Sequence, residues 1–230
     1  MASAASPSLP EVAEPVDLRL PFPFSAIIVA PSSAGKTHFV LELIERRDEI
    51  IDTVIDKVIY VYTEMQDRFR EFARAHPIVY FTKEKEDVDA FLDRGLKLLI
   101  VFDDKMLDFE GKENTFITSW FIKKSHHKNC AVIILLQNLF SPGLRCCSLN
   151  AKFIVLFKTP RDVSSVYTLS RQMYPSHPMF LVNSFRLATQ GKYTYLLIDL
   201  HPDRDDVLRL RSSLYPSEQL DIYVSPSWNK

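Results

Sequence analysis

The residues whose types and spacing are most specific for chemistry are Ala30-Pro31-Ser32-Ser33-Ala34-Gly35-Lys36-Thr37. A loop ending in Gly-Lys-Thr turns backbone N–H groups, an ammonium and a hydroxyl toward one anion, which is the chemistry of a phosphate-binding loop. In a nucleoside triphosphate such as ATP, Lys36 reaches the β- and γ-phosphates and the Thr37 hydroxyl holds Mg²⁺. Gly35 lets the backbone approach the phosphates with no Cβ in the way. The first glycine of the usual pattern is absent, so the backbone at Ala30 must adopt a φ that suits alanine.

A second group of candidates closes the run Leu98-Leu99-Ile100-Val101-Phe102 with Asp103-Asp104. Asp103 is expected to coordinate Mg²⁺ through water, and Asp104 to polarise an attacking water. A third run, Ala131 to Leu136, ends in Gln137-Asn138, and an amide at Gln137 can orient that water and sense the γ-phosphate without adding charge. Three downstream arginines, Arg145, then Arg161 and Arg171, are candidates for a cation that completes a neighbouring subunit's site. Lys123, Lys124 and Lys128, with Ser125, His126 and His127 among them, form a compact basic patch suited to phosphates. The adjacent histidines lack carboxylate or cysteine partners at ligand spacing, which argues against a metal site there.

These groups need elements that bring them to one place. Ala26-Ile27-Ile28-Val29 reads as a buried strand delivering the chain to the loop, and His38 to Asp48 as the helix behind it, with Phe39, Leu43 and Ile44 on one face. Lys57 to Tyr62 is a second strand, Gln66 to Ala75 a helix, Ile78 to Phe81 a short strand, and Lys83 to Arg94 a charged helix. After the Leu98 strand comes a helix from Glu113 to about Ser125, with Phe116, Ile117, Trp120 and Phe121 as its apolar stripe. The later elements are strand Phe153 to Phe157, helix Asp162 to Tyr174, helix Pro178 to Gln190, strand Tyr193 to Leu200 and an edge strand Val207 to Arg211. Continuous aliphatic runs alternating with helices imply an α/β fold: a mainly parallel central sheet with helices on both faces, its ligands at the C-terminal ends of the strands.

Length and composition fit one such domain. The 230 residues, 47% hydrophobic, suffice for one substantial core. Residues 1–20 mix Ala, Ser, Pro and acids without periodicity and read as a flexible N-terminal arm; residues 21–211 form the domain, and residues 212–230, with Pro216 and Pro226 among polar residues, a C-terminal tail. A net charge of -1 excludes nucleic-acid binding by bulk charge and leaves only a local basic surface. No apolar run is long enough to span a membrane and the start lacks a secretory pattern, so no membrane partner is expected. The odd number of cysteines, Cys130, Cys146 and Cys147, reads as reduced thiols in an intracellular protein.

Taken in order, Ala30 to Thr37, Phe102-Asp103-Asp104, Ser125-His126-His127-Lys128-Asn129, Leu136-Gln137-Asn138-Leu139-Phe140, Ser148-Leu149-Asn150-Ala151, Phe157-Lys158-Thr159-Pro160-Arg161-Asp162, Arg171-Gln172-Met173-Tyr174-Pro175 and Tyr195 to Leu200 form a series. From about Phe22 to Pro216 this series resembles the DNA-packaging ATPases of Polinton (Maverick) elements, adintoviruses and related double-stranded DNA viruses. Those are themselves similar to the poxvirus A32-type branch of the FtsK/HerA superfamily. The resemblance implies a RecA-like P-loop ATPase of the ASCE type, with Gln137's strand lying between the loop strand and the Asp103 strand. It further implies ATP and Mg²⁺ as cofactors, self-association into a ring, non-sequence-specific double-stranded DNA, and a capsid or vertex protein as partner. The setting it implies is the virus assembly site of an infected or host cell, nucleus or cytoplasm, or the virion itself. Asp104 departs from the glutamate that many relatives of this class carry, and is one methylene shorter. Two other functions share the loop: a nucleoside or nucleotide kinase, which should show an arginine-rich lid where Arg68, Arg70 and Arg74 make only a helical face, and a non-hydrolysing nucleotide-dependent assembly scaffold.

Overall fold

The computed structural model describes residues 16–84, 86–92, 95–103, 117–124, 129–140 and 145–225. Their strands are the aliphatic runs. β1 (Ser25–Val29), β4 (Leu98–Phe102), β5 (Cys130–Leu136) and β6 (Phe153–Phe157) are buried at every position, because helices cover both faces of the sheet they share. With β2 (Lys57–Val61), β3 (Val79–Thr82), β7 (Tyr195–Asp199) and β8 (Leu210–Arg211) they form one sheet in the order β3-β2-β4-β5-β1-β6-β7-β8. The pairings from β3 through β6 are parallel; β7 and β8 add an antiparallel edge. β5 lies between β1 and β4, in register Ile28↔Leu135 and Val101↔Ile133, the position expected for the strand that ends at Gln137.

Alternate side chains along each strand build two cores. On one face Ile27, Val29, Ile100, Val132 and Ile134 pack with Trp120 and Phe121 and with helices α6 (Val163–Met173) and α7 (Met179–Ala188). On the other, Ala26, Ile28, Tyr60, Val101 and Ile133 meet Phe39, Val40 and Ile44 of α1 (Lys36–Glu45) and Phe69 of α3 (Asp67–Ala75). The remaining helices are short: α2 (Arg47–Ile50), α4 (Glu86–Leu92) and α5 (Arg145–Asn150).

Several boundaries differ from expectation, each for a local reason. The helix expected over His38 to Asp48 breaks at Arg46, whose guanidinium bonds Glu42, Glu49 and Glu218 and lies 3.6 Å over the ring of Tyr215. The stripe Ile117, Trp120 and Phe121 is buried as expected, but Trp120–Lys124 forms a π-helical turn. β7 starts only at Tyr195, since Tyr193 has φ 64 and cannot continue a strand. The edge strand shrinks to two residues because Asp206–Leu208 folds into a 3₁₀ turn, whose Val207 N–H donates to Asp205 Oδ1 at 3.0 Å. Beyond β8, Leu214 and Tyr215 are buried in the core on the α1 face, and Leu214 N–H donates to the Tyr195 hydroxyl at 2.8 Å.

One buried charge cluster lies at the antiparallel edge. Asp199 is fully buried and accepts from Arg204 Nε at 2.8 Å and Arg211 Nη2 at 2.9 Å. Burial pulls the Arg211 pKa below its ordinary value, and the Asp199 carboxylate pushes back. The two arginines also donate to the carbonyls of Asp17, Leu18 and Arg19, which ties the incoming chain to the sheet.

Candidate functional site

The loop leaves β1 at Ala30, which is fully buried, and Ala30 N–H donates to Leu136 O at 3.0 Å as one more rung of the β1–β5 ladder. Among described non-glycine residues only Ser33, Asn129 and Tyr193 have positive φ, so the backbone at Ala30 makes no demand for glycine. The demand falls further along, at Ser33 (φ 64) and Gly35 (φ 88). Left-handed residues within a short run turn successive N–H groups inward and form an anion-binding nest. Gly35 then caps α1 with no side-chain hydrogen bond, leaving the first-turn N–H groups for a ligand.

A cavity of about 660 Å³ opens over this loop at the edge of the sheet where the parallel strands end. Pro31, Ser32, Ser33, Gly35, Lys36 and Thr37 line it from the loop side, and Asp103 from β4. Ala34 packs instead against the core beneath. Lys36 is 9% exposed and Asp103 6%, so both charges lie largely out of bulk water. Asp103 N–H donates to Val61 O at 2.9 Å, extending the β2–β4 ladder, and its Oδ2 accepts from the Tyr60 hydroxyl at 2.6 Å. Tyr60 is fully buried between Phe69 and Phe81, with ring centroids 5.1 and 5.2 Å away.

This donor set suits Mg²⁺. Among the described residues no three His, Cys, Asp or Glu side chains gather as an all-protein cage. Mg²⁺ keeps several waters and is ordinarily held by one or two protein oxygens plus phosphates, a demand that the Thr37 hydroxyl and the Asp103 carboxylate on one cavity can meet.

The other expected site residues are placed less directly. Gln137 follows β5 at the same edge, one residue beyond the carbonyl that receives Ala30 N–H, and is exposed. Asp104 lies outside the described residues, as do Ser125 to Lys128 of the basic patch. Arg145 is not in a loop as the sequence suggested: it is the exposed first residue of α5, whose last residue, Asn150, accepts from Ser25 Oγ at the opposite edge of the sheet. It does not line the cavity. Arg161 is exposed four residues past β6, and Arg171 is exposed near the end of α6.

Two tyrosines that the sequence reading passed over belong to the site. Tyr60 had a signal, since a tyrosine in a buried strand needs a partner for its hydroxyl. Tyr193 had none; it comes to the loop from the turn before β7, its ring against Gly35. Tyr62, Thr63, Glu64, Gln66 and Arg68 complete the β2 side of the cavity.

A mainly parallel sheet with β5 between β1 and β4 is the fold of RecA-like P-loop ATPases. No protein-family model and no curated protein matches the chain by sequence. By fold it is similar to the DNA-packaging ATPase B204 of Sulfolobus Turreted Icosahedral Virus, with a TM-score of 0.52 at 12% identity over 87% of this chain and 97% of that one. The genome packaging NTPase B204 of Sulfolobus turreted icosahedral virus 2, in complex with AMPPCP, matches with a TM-score of 0.52 at 12% identity over 90% and 98% of the two chains. The cytoplasmic domain of the Thermomonospora curvata Type VII secretion ATPase EccC matches with a TM-score of 0.50 at 11% identity, over 87% of this chain and 25% of that one. At such identities the likeness is one of fold.

Proposed function

We propose that this chain is an ATP-hydrolysing motor that moves double-stranded DNA, and that it packages a viral or transposon genome into a capsid as a ring of subunits. The observation that carries the hydrolytic part is the meeting of Lys36, Thr37 and Asp103 on one cavity at the C-terminal edge of a parallel sheet. The packaging part is supported by the fold's likeness to two viral packaging NTPases over most of both chains, and by the ordered motifs of the Polinton and A32-type series.

In this reading the loop N–H groups and Lys36 bind and orient the β- and γ-phosphates, and burial of the site strengthens those contacts. Thr37 and Asp103 would hold Mg²⁺, which neutralises charge on the phosphates when bound. Asp104 and Gln137 position the attacking water. Arg145 supplies a guanidinium to a neighbouring subunit's site, the role open to a cation that does not line its own subunit's cavity. DNA is held through its phosphates by Lys123, Lys124 and Lys128 repeated around a pore, without base recognition. Among the described residues no helix is long and apolar enough to cross a membrane, and none is needed for this task.

The test is ATP turnover measured with and without duplex DNA. Hydrolysis that duplex stimulates is the expected result. Transfer of phosphate to an added nucleoside or nucleotide indicates a kinase, and tight nucleotide binding with no turnover in either condition indicates a scaffold. Mixed rings of Arg145→Ala and Asp104→Ala subunits should recover part of the activity that each lacks alone; no recovery moves the guanidinium's role to Arg161 or Arg171, or places it within its own subunit.

A further inference from the structure

We propose that the cavity beside the phosphate loop, on the side away from Asp103, is a nucleobase site in which a purine stacks on Tyr193. This rests on the reading of the loop as a triphosphate cradle and extends it to the other end of the ligand. A second cavity of about 240 Å³ adjoins the first and shares Gly35, His38 and Tyr193 with it. Asp103 lines only the first; the second is walled by Phe157 of β6 and Tyr195 of β7. In the sheet, β4 and β6 lie on opposite sides of β1. A triphosphate seated on the loop with its γ end toward Asp103 therefore sends its nucleoside across β1 toward β6, into the second cavity.

Tyr193 stands where the two spaces meet and is 54% exposed. Its φ of 64 is an outlier for a bulky side chain, and such strain persists where the surroundings hold it, commonly at ligand sites. Those surroundings include the loop itself. A Cβ on Gly35 would come within 2.9 Å of Tyr193 Cδ1, so glycine there serves both its own φ of 88 and the approach of the ring. The ring thus lies directly against the loop that would hold the phosphates. The Lys192 ammonium lies 4.8 Å from the ring centroid, a contact that an exposed ring holds weakly and a base displaces.

Several polar groups around this cavity are already engaged, although the buried Tyr215 hydroxyl has no hydrogen-bond partner. The Thr194 hydroxyl donates to Gly191 O, and Glu42 and Glu218 accept from Arg46. The base is held chiefly by its face, on the ring of Tyr193. Purines with their larger faces bind better than pyrimidines.

The experiment compares the affinities of inorganic triphosphate, ATP, GTP and CTP for the wild-type protein, Tyr193→Phe and Tyr193→Asn, asparagine being chosen because it tolerates a left-handed backbone. Wild type should bind ATP and GTP about 5- to 100-fold more tightly than triphosphate, the range that base–aromatic stacking gives. Tyr193→Phe should keep that advantage, and Tyr193→Asn should erase it while binding triphosphate as wild type does. The proposal is overturned if Tyr193→Asn keeps the advantage of ATP over triphosphate, or if it weakens triphosphate and ATP equally, which would make Tyr193 a support of the loop. Wild-type protein that binds neither triphosphate nor ATP overturns the phosphate-loop reading as well, an outcome distinct from the other two.

Discussion

Two aspartates in this molecule look alike in sequence and differ in what they face. Asp103 follows Leu98-Leu99-Ile100-Val101-Phe102, and Asp199 closes Tyr195-Leu196-Leu197-Ile198, both at the end of a buried aliphatic strand. β4 runs parallel to its neighbours, so Asp103 emerges at the edge with the phosphate loop, lines an open cavity and accepts from the Tyr60 hydroxyl, a neutral donor. β7 runs antiparallel, so Asp199 lies opposite Phe153 at the other edge and accepts from two guanidinium groups. One carboxylate faces an open cavity; the other is consumed in holding Arg204, Arg211 and the incoming chain. The direction of the strand, which no local pattern reveals, decides between them.

That contrast can be broken by exchanging the two phenotypes. The largest effect is expected on stability from Asp199→Ala, which leaves the almost fully buried Arg211 without its carboxylate. Loss of one partner of a buried ion pair costs about 3–5 kcal/mol. Denaturant unfolding should show it, and whatever protein remains folded should bind nucleotide normally. Next come Lys36→Ala and Asp103→Ala, each expected to lower turnover by about 10²–10³ through loss of preorganised charge at the phosphates. Lys36→Ala should leave the unfolding midpoint close to wild type, whereas Asp103→Ala also removes the acceptor of the buried Tyr60 hydroxyl and should cost about 1–3 kcal/mol of stability. The two should differ in route: Lys36→Ala weakens nucleotide binding outright, whereas Asp103→Ala spares binding in the absence of Mg²⁺. If Asp199→Ala spares stability, or Lys36→Ala retains near wild-type hydrolysis, the division of roles drawn here is wrong.

The fold was largely legible because a sheet covered on both faces writes itself as unbroken aliphatic runs, and β1, β4, β5 and β6 all read that way. The tight turn between β1 and α1 was legible because the Gly-Lys-Thr pattern needs such a turn between a strand and a helix, and Ser33 and Gly35 make it with positive φ. Contacts between distant segments were not. Nothing near Gly35 announces that Tyr193 will lie against it, and nothing near Asp103 announces Tyr60, which stands 43 residues away and meets it only because β2 pairs with β4. The place of Arg145 was misjudged for a related reason: the short α5 carries no periodicity strong enough to separate it from a loop.

A smaller effect sharpens the Asp103 side of the comparison. Tyr60→Phe keeps the ring packed between Phe69 and Phe81 and removes only the hydroxyl that fixes Oδ2. Groups that orient a metal ligand typically account for about 10- to 100-fold in metal affinity. The Mg²⁺ concentration needed for half-maximal tightening of nucleotide binding should rise accordingly, while binding without Mg²⁺ and the melting temperature stay close to wild type. A purely structural role for Tyr60 would move stability and leave the Mg²⁺ dependence alone.

The smallest effect belongs to a third aspartate, in the segment that the Asp199 cluster holds. Asp17 accepts from Arg19 through its side chain and backbone N–H, and its carbonyl accepts from Arg204 at 2.6 Å. The Arg19 hydrogen bonds, aided by the charges of Arg19 and Arg204, lower its pKa from an ordinary 3.8 to about 2. A carboxyl whose pKa is depressed by folding stabilises the folded chain fully above its unfolded pKa and loses that contribution as pH falls through the folded value. For Asp17 the window runs from about pH 4 down to about pH 2. Its side chain is 55% exposed and that of Arg19 41%, so solvent screening limits the contribution to less than about 1 kcal/mol. The difference in unfolding free energy between wild type and Asp17→Asn should therefore be small and constant above pH 5, and should shrink toward zero between pH 4 and 2. A difference that instead grows on acidification would mean that Asp17 is protonated more readily in the folded chain, and that Arg204 holds the segment through the carbonyl of Asp17 alone.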